Sequence, residues 1–77
     1  DNRDTALNDI AGIDSYILNN IAGIASNEAE LINAYQRGFG LYLFALGTRT
    51  KNPGLVNEVR NEIEQAYGIS IPPLTGV

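Results

Sequence analysis

Apolar residues recur along this chain at spacings of three and four, and no stretch shows strand-like alternation. Leu7, Ile10, Ile13, Ile17, Ile21 and Ile24 fall on one face at 3.6 residues per turn. A second stripe runs through Leu31, Ile32, Tyr35, Phe39, Tyr42, Leu43 and Leu46, widened on one flank by Ala34, Gly38, Leu41 and Ala45. A third runs through Leu55, Val56, Val59, Ile63, Ala66 and Tyr67. An amphipathic helix must bury its apolar stripe against another element. The expectation is therefore an all-α chain, a three-helix bundle with helices at about 4–25, 27–47 and 53–67. It forms a single helical domain over residues 1–77 with an extended C-terminal tail.

The punctuation between the stripes agrees. Asp4 or Thr5 can cap the first helix. Asn27, with Glu30 three residues on, imitates a capping box. Asn52 followed by Pro53 reads as an N-cap and first helical position. Gly47 is placed to end the second helix, and Gly68 to end the third in a left-handed conformation with Ile69 folding back on Ile63. Ile71-Pro72-Pro73 stops any helix. The tail beyond either packs across the bundle through Ile69, Ile71 and Leu74 or awaits a partner.

Residue types that are missing exclude much chemistry. The 77 residues include no Cys, His, Met or Trp, which removes disulfides, thiolate or imidazole metal sites, and Cys or His catalysis. No acidic spacing matches a calcium loop. The five cations are Arg3, Arg37, Arg49, Lys51 and Arg60, spread among nine acids for a net charge of −4. They form no basic stripe for nucleic acid, and an anionic membrane is unattractive for the same reason. No run approaches the roughly 20 apolar residues of a membrane span. Ser15 and Ser26 have no base partner in view. Glu58, Glu62 and Glu64 lie on the solvent face of the third helix, where Arg60 to Glu64 is spaced for an ion pair. That cluster suits a pH-responsive contact better than catalysis. The reading is no enzyme, no cofactor and no metal.

Two faces carry more than a solvated surface requires. Ala11-Gly12-Ile13 recurs as Ala22-Gly23-Ile24, eleven residues later, so a continuous helix would turn both glycines the same way. Gly12, Ser15, Asn19 and Gly23 then make a stripe of small polar residues along which another backbone could come close. On the second helix Phe44 departs from the apolar stripe and falls with Arg37 and Gly40, beside Leu41. A large ring next to glycine-bared backbone is a candidate anchor.

Two local resemblances touch the chain. Ala66-Tyr67-Gly68-Ile69-Ser70-Ile71-Pro72 is similar to the end of the second helix of acyl carrier proteins. That family carries phosphopantetheine on a serine at the helix start, where this chain has Asn52-Pro53-Gly54, so carrier activity is not implied. Asn52 to Arg60 resembles the last helix of spider-silk N-terminal domains, which implies a secreted helical domain that dimerises as pH falls.

The functional expectation is a non-enzymatic helical interaction module, acting by self-association or as a small accessory subunit docking on a larger protein assembly. Its candidate interface is Phe44, Leu41, Gly40 and Arg37 with Gly12, Ser15, Asn19 and Gly23. The partner is protein, with no nucleic acid and no membrane insertion. The chain begins at Asp1, which fits the mature part of an exported protein, in an extracellular, periplasmic or organelle-lumen location. The alternatives are a small apolar-ligand carrier with a pocket among Tyr35, Phe39, Tyr42 and Tyr67, and a secreted inhibitor or effector of another protein.

Overall fold

The computed structural model describes residues 3–72. It contains α1 (Arg3–Asn20), α2 (Glu28–Thr50) and α3 (Pro53–Tyr67), packed pairwise around one core. The expected three-helix bundle is the observed architecture. Ala6 and Ile10 of α1, Phe39, Leu43 and Leu46 of α2, and Leu55, Val59 and Ile63 of α3 are buried together, closed at one side by Ile71. Every one of these helical positions lies on the stripe of its helix or one residue from it, which is why the sequence pattern finds them. Burying side chains of this size contributes roughly 1.5–3 kcal/mol each, the main term offsetting chain entropy.

The starts of α2 and α3 follow their capping residues, whereas Asp4 and Thr5, expected as caps, lie inside α1, which is already helical at Arg3. Glu30 N donates to Asn27 Oδ1 at 2.9 Å, and Glu30 Oε2 reaches back to accept Ser26 N at 3.0 Å. The second bond goes to Ser26 rather than to the cap residue itself. Leu55 N donates to Asn52 Oδ1 at 3.1 Å, with Pro53 in the first turn. Gly68, at φ 65°, ends α3 by returning its amide to Glu64 O at 2.9 Å.

Two helix ends differ from the sequence expectation. α1 stops at Asn20, not near residue 25. Asn20 Nδ2 turns back onto Tyr16 O at 3.0 Å, and the next amides close shorter and longer turns, Ile24 N to Ile21 O and Ala22 N to Ile17 O, both 3.0 Å. Asparagine side chains compete for backbone in this way, and consecutive Asn19 and Asn20 end the helix. The consequence is that Ile24, expected in the core stripe, is 79% exposed.

α2 runs through Gly47 to Thr50 and ends on Lys51 in the left-handed region at φ 53°. Gly47 continues the helix and faces α3. A Cβ there would sit 3.4 Å from Val56 Cγ2. Gly38 serves α1 in the same way, with its Cβ position 3.4 Å from Ile13 Cγ2 and Ile17 Cδ1. Gly40 serves the tail, 3.9 Å from Ile71 Cγ2.

That tail is fixed over residues 69–72. Ile71 is buried, its amide donates to Glu64 Oε2 at 2.8 Å, and Ser70 O accepts Gln36 Nε2 at 2.9 Å. The expected packing of Ile69 and Ile71 is observed, and Leu74 lies outside the described residues.

Candidate functional site

Four of the eight candidate interface residues lie on α2, and the structure divides them. Phe44 is 51% exposed and Leu41 58% exposed, one turn apart on the outward face, with Arg37 exposed one further turn back. Ala45 beside them is exposed too. Gly40 does not belong with them: it is buried beneath Ile71 and has no surface to offer. Its expected role in the interface is corrected accordingly.

On α1, Gly12, Ser15 and Asn19 are exposed on the outward face, and nothing comes within 4 Å of a Cβ built on Gly12. Gly23 is exposed but lies in the turn after Asn20, so it does not continue a helical stripe with Gly12. The eleven-residue repeat therefore does not produce one face. The α1 group and the α2 group sit on outward faces of different helices.

Between those faces lies a groove of about 300 Å³, walled by Ile13, Tyr16 and Ile17 of α1, Ile21, and Ala34, Arg37 and Gly38 of α2. Tyr16 on its rim is 61% exposed. Sequence reasoning passed over Tyr16, although its position off the Leu7–Ile24 stripe is the signal that it faces out. Leu18, also off the stripe, is half exposed as well. Tyr16 and this groove give the α1/α2 side of the bundle an apolar surface that the core does not use, with Leu41 exposed on the outward face of α2 and Phe44 at that face's other edge, toward α3.

The rings proposed for an internal pocket are packed instead. Tyr35, Phe39 and Tyr67 form a closed triangle with centroids 5.6, 5.5 and 5.2 Å apart. Tyr35 Oη donates to Asp14 Oδ1 at 2.7 Å, and Tyr42 Oη donates to Asp9 Oδ2 at 2.8 Å. Burial first, and then the hydrogen bond to the Asp14 carboxylate, push the Tyr35 phenol up to about 12. Burial and Asp14 raise Tyr67 likewise, and burial and Asp9 raise Tyr42. These rings join α1 to α2 and α3.

The acidic cluster of α3 is occupied structurally. Arg3 Nε pairs with Glu58 Oε1 at 2.9 Å, and Arg3 Nη2 pairs with Glu62. The Arg60–Glu64 ion pair expected from spacing is not formed, because Glu64 turns to the Ile71 amide and Arg60 Nη1 donates to Asn57 Oδ1 at 3.2 Å. Among the described residues no group of three or more Asp or Glu is placed to hold a metal ion, and no helix is long and apolar enough to cross a membrane.

No protein-family model matches the sequence, and no curated protein or solved structure matches it either.

Proposed function

We propose that this chain is a non-enzymatic interaction module that self-associates through the outward face of α2. The observation that supports the reading is the pair Leu41 and Phe44, large side chains more than half exposed on the central helix of a bundle whose core is already complete without them. Large apolar side chains left on one face that the core does not need are candidate anchors for a partner.

A second copy is the occupant that the surface fits. Isologous association needs a ridge and a matching hollow on the same patch. Here the ridge Leu41–Phe44 runs beside the hollow over Ala34 and Gly38. A two-fold axis close to residues 39 and 40, with the two α2 helices antiparallel, lays Phe44 of one copy over Ala34 and Gly38 of the other. Small residues at the contact let the axes approach, as ridges-into-grooves packing requires. Tyr16 then borders the buried ring. Docking on a larger assembly as an accessory subunit would use the same face.

The absence of cysteine makes a direct test simple. In the antiparallel arrangement the two copies of residue 41 lie close together across the axis. Leu41→Cys is expected to form a disulfide-linked dimer under mild oxidation far faster than Gln65→Cys, on the exposed side of α3. Equal rates for the two variants would contradict the arrangement.

A further inference from the structure

A different groove lies on the other flank of α2, against α3. Its volume is about 400 Å³, within the range of small-molecule sites. Its floor is apolar, made by Leu43, Phe44, Gly47 and Val56, with Lys51 at one end and Arg60 at the other. No carboxylate lines it, although the chain has nine acids and only five cations. Two of those five cations therefore border one apolar trough in an otherwise acidic protein.

Arg60 supplies an independent observation. Its Nε is buried with no hydrogen-bond partner among the described residues. Glu64, the partner that its spacing offers, is committed to Ile71. Asn57 takes only Nη1. The protein itself covers that Nε, so an anion in the groove would meet the accessible Nη edge of the guanidinium, with which no carboxylate among the described residues forms an ion pair. Guanidinium suits a carboxylate in particular, because two parallel N–H groups match its two oxygens.

We infer that this groove binds a single-chain carboxylate amphiphile, with the carboxylate on Arg60 and the alkyl chain along Phe44, Gly47 and Val56 towards Pro53. Arg60 lies seven positions beyond Pro53 on α3, about 10 Å of trough at 1.5 Å per residue. That length takes an extended chain of medium size. Gly47 contributes bare backbone to the floor, beside Val56. Arg60 selects the sign of the headgroup, and the floor selects for the length of the chain. The site lies on the flank of α2 away from Ala34 and Gly38 but shares Phe44 with the proposed self-association face, so a bound chain and a second copy compete for that ring, and the titration is made at dilution for that reason.

The test is a titration of the isotope-labelled protein followed by amide NMR at neutral pH and dilute concentration. The probes are decanoate, hexanoate and decyltrimethylammonium, all held below micelle formation. Saturable shifts are expected with decanoate, centred on Gly47, Val56, Asn57 and Arg60. Hexanoate should bind at least about tenfold more weakly, since each buried methylene is worth roughly fourfold in affinity. Decyltrimethylammonium should not bind at the groove. Arg60→Gln, with its helical content checked by circular dichroism, should weaken decanoate by about tenfold or more. Comparing the two decyl probes on the unmodified protein decides the question even if Arg60→Gln fails to fold. The inference is overturned if the cationic probe shifts the same amides equally, if decanoate shifts cluster at Tyr16 and Leu41 instead, or if decanoate produces no saturable shift.

Discussion

The Glu64 carboxylate accepts the main-chain amide of Ile71 at 2.8 Å, seven residues on, and so holds the Ile71 side chain over Gly40. The spacing that would pair Glu64 with Arg60 on the helix surface is thereby used to close the core. Glu64→Ala is expected to cost about 1–2 kcal/mol, because a partly buried amide loses a charged acceptor. Ile71→Ala should cost about 2–4 kcal/mol. The two changes act on one contact, so the double variant should cost less than their sum. Urea unfolding at constant m-value measures all three.

The glycines divide into those that another element approaches and those that nothing approaches. Gly12 lies inside α1 with open space where a side chain would go, so Gly12→Ala should stabilise the protein by about 0.5–1 kcal/mol. Gly47 lies against Val56, and Gly47→Val should destabilise by about 1–3 kcal/mol through overpacking. Thermal unfolding of the two variants should therefore move in opposite directions.

Alkaline pH should weaken the bundle through its tyrosines. Tyr35 is pushed up to about 12 from an unfolded value of 10.0, so the folded state holds this proton more tightly than the unfolded chain does. The contribution is fully present below pH 10 and is lost as pH rises through 12. Tyr35→Phe removes the bond to Asp14, should cost about 0.5–1.5 kcal/mol at neutral pH, and should flatten the fall in stability across that window. Urea midpoints of both proteins between pH 8 and about 12 check the sign.

Arg3 ties the start of α1 to Glu58 and Glu62 of α3, with all three side chains about half exposed. Exposed pairs of this sort contribute little and are screened by salt. Arg3→Gln should cost less than about 1 kcal/mol at low salt, and the difference should shrink in about 1 M sodium chloride. A loss that persists at high salt would show that packing of the Arg3 stem, rather than charge, is what matters.

Local signals in the sequence were read correctly where one segment decides the outcome. The Asn27 and Asn52 caps, the Gly68 terminus and most positions of the three stripes depend on neighbours within a turn, and these are where the pattern puts them. What was not legible depended on elements distant in sequence. Gly40 and Gly47 look like an open patch and a helix end until Ile71 and Val56 are known to lie on them. Arg60–Glu64 looks like a surface pair until the tail takes Glu64. Ile24 continues the stripe in register, but Asn19 and Asn20 end the helix first, so a periodic position became an exposed one. For the candidate site, Phe44 is visible as an exception to the periodicity and is exposed, whereas Leu41, which the pattern places on the flank of the apolar stripe, is exposed as well. Tyr16 and the groove over Ala34 and Gly38 arise only when α1 is laid beside α2.

The central claim concerns the outward face of α2, and Phe44→Asp addresses it most directly. Phe44 is half exposed in a single copy, so a charge there should leave helical content intact and shift the thermal midpoint by only a few degrees. Sedimentation equilibrium over a wide concentration range should show the unmodified protein passing from one to two chains, while Phe44→Asp stays at the mass of one chain. A single-chain mass for the unmodified protein at every concentration would contradict the account, as would a Phe44→Asp variant that unfolds or associates just as tightly.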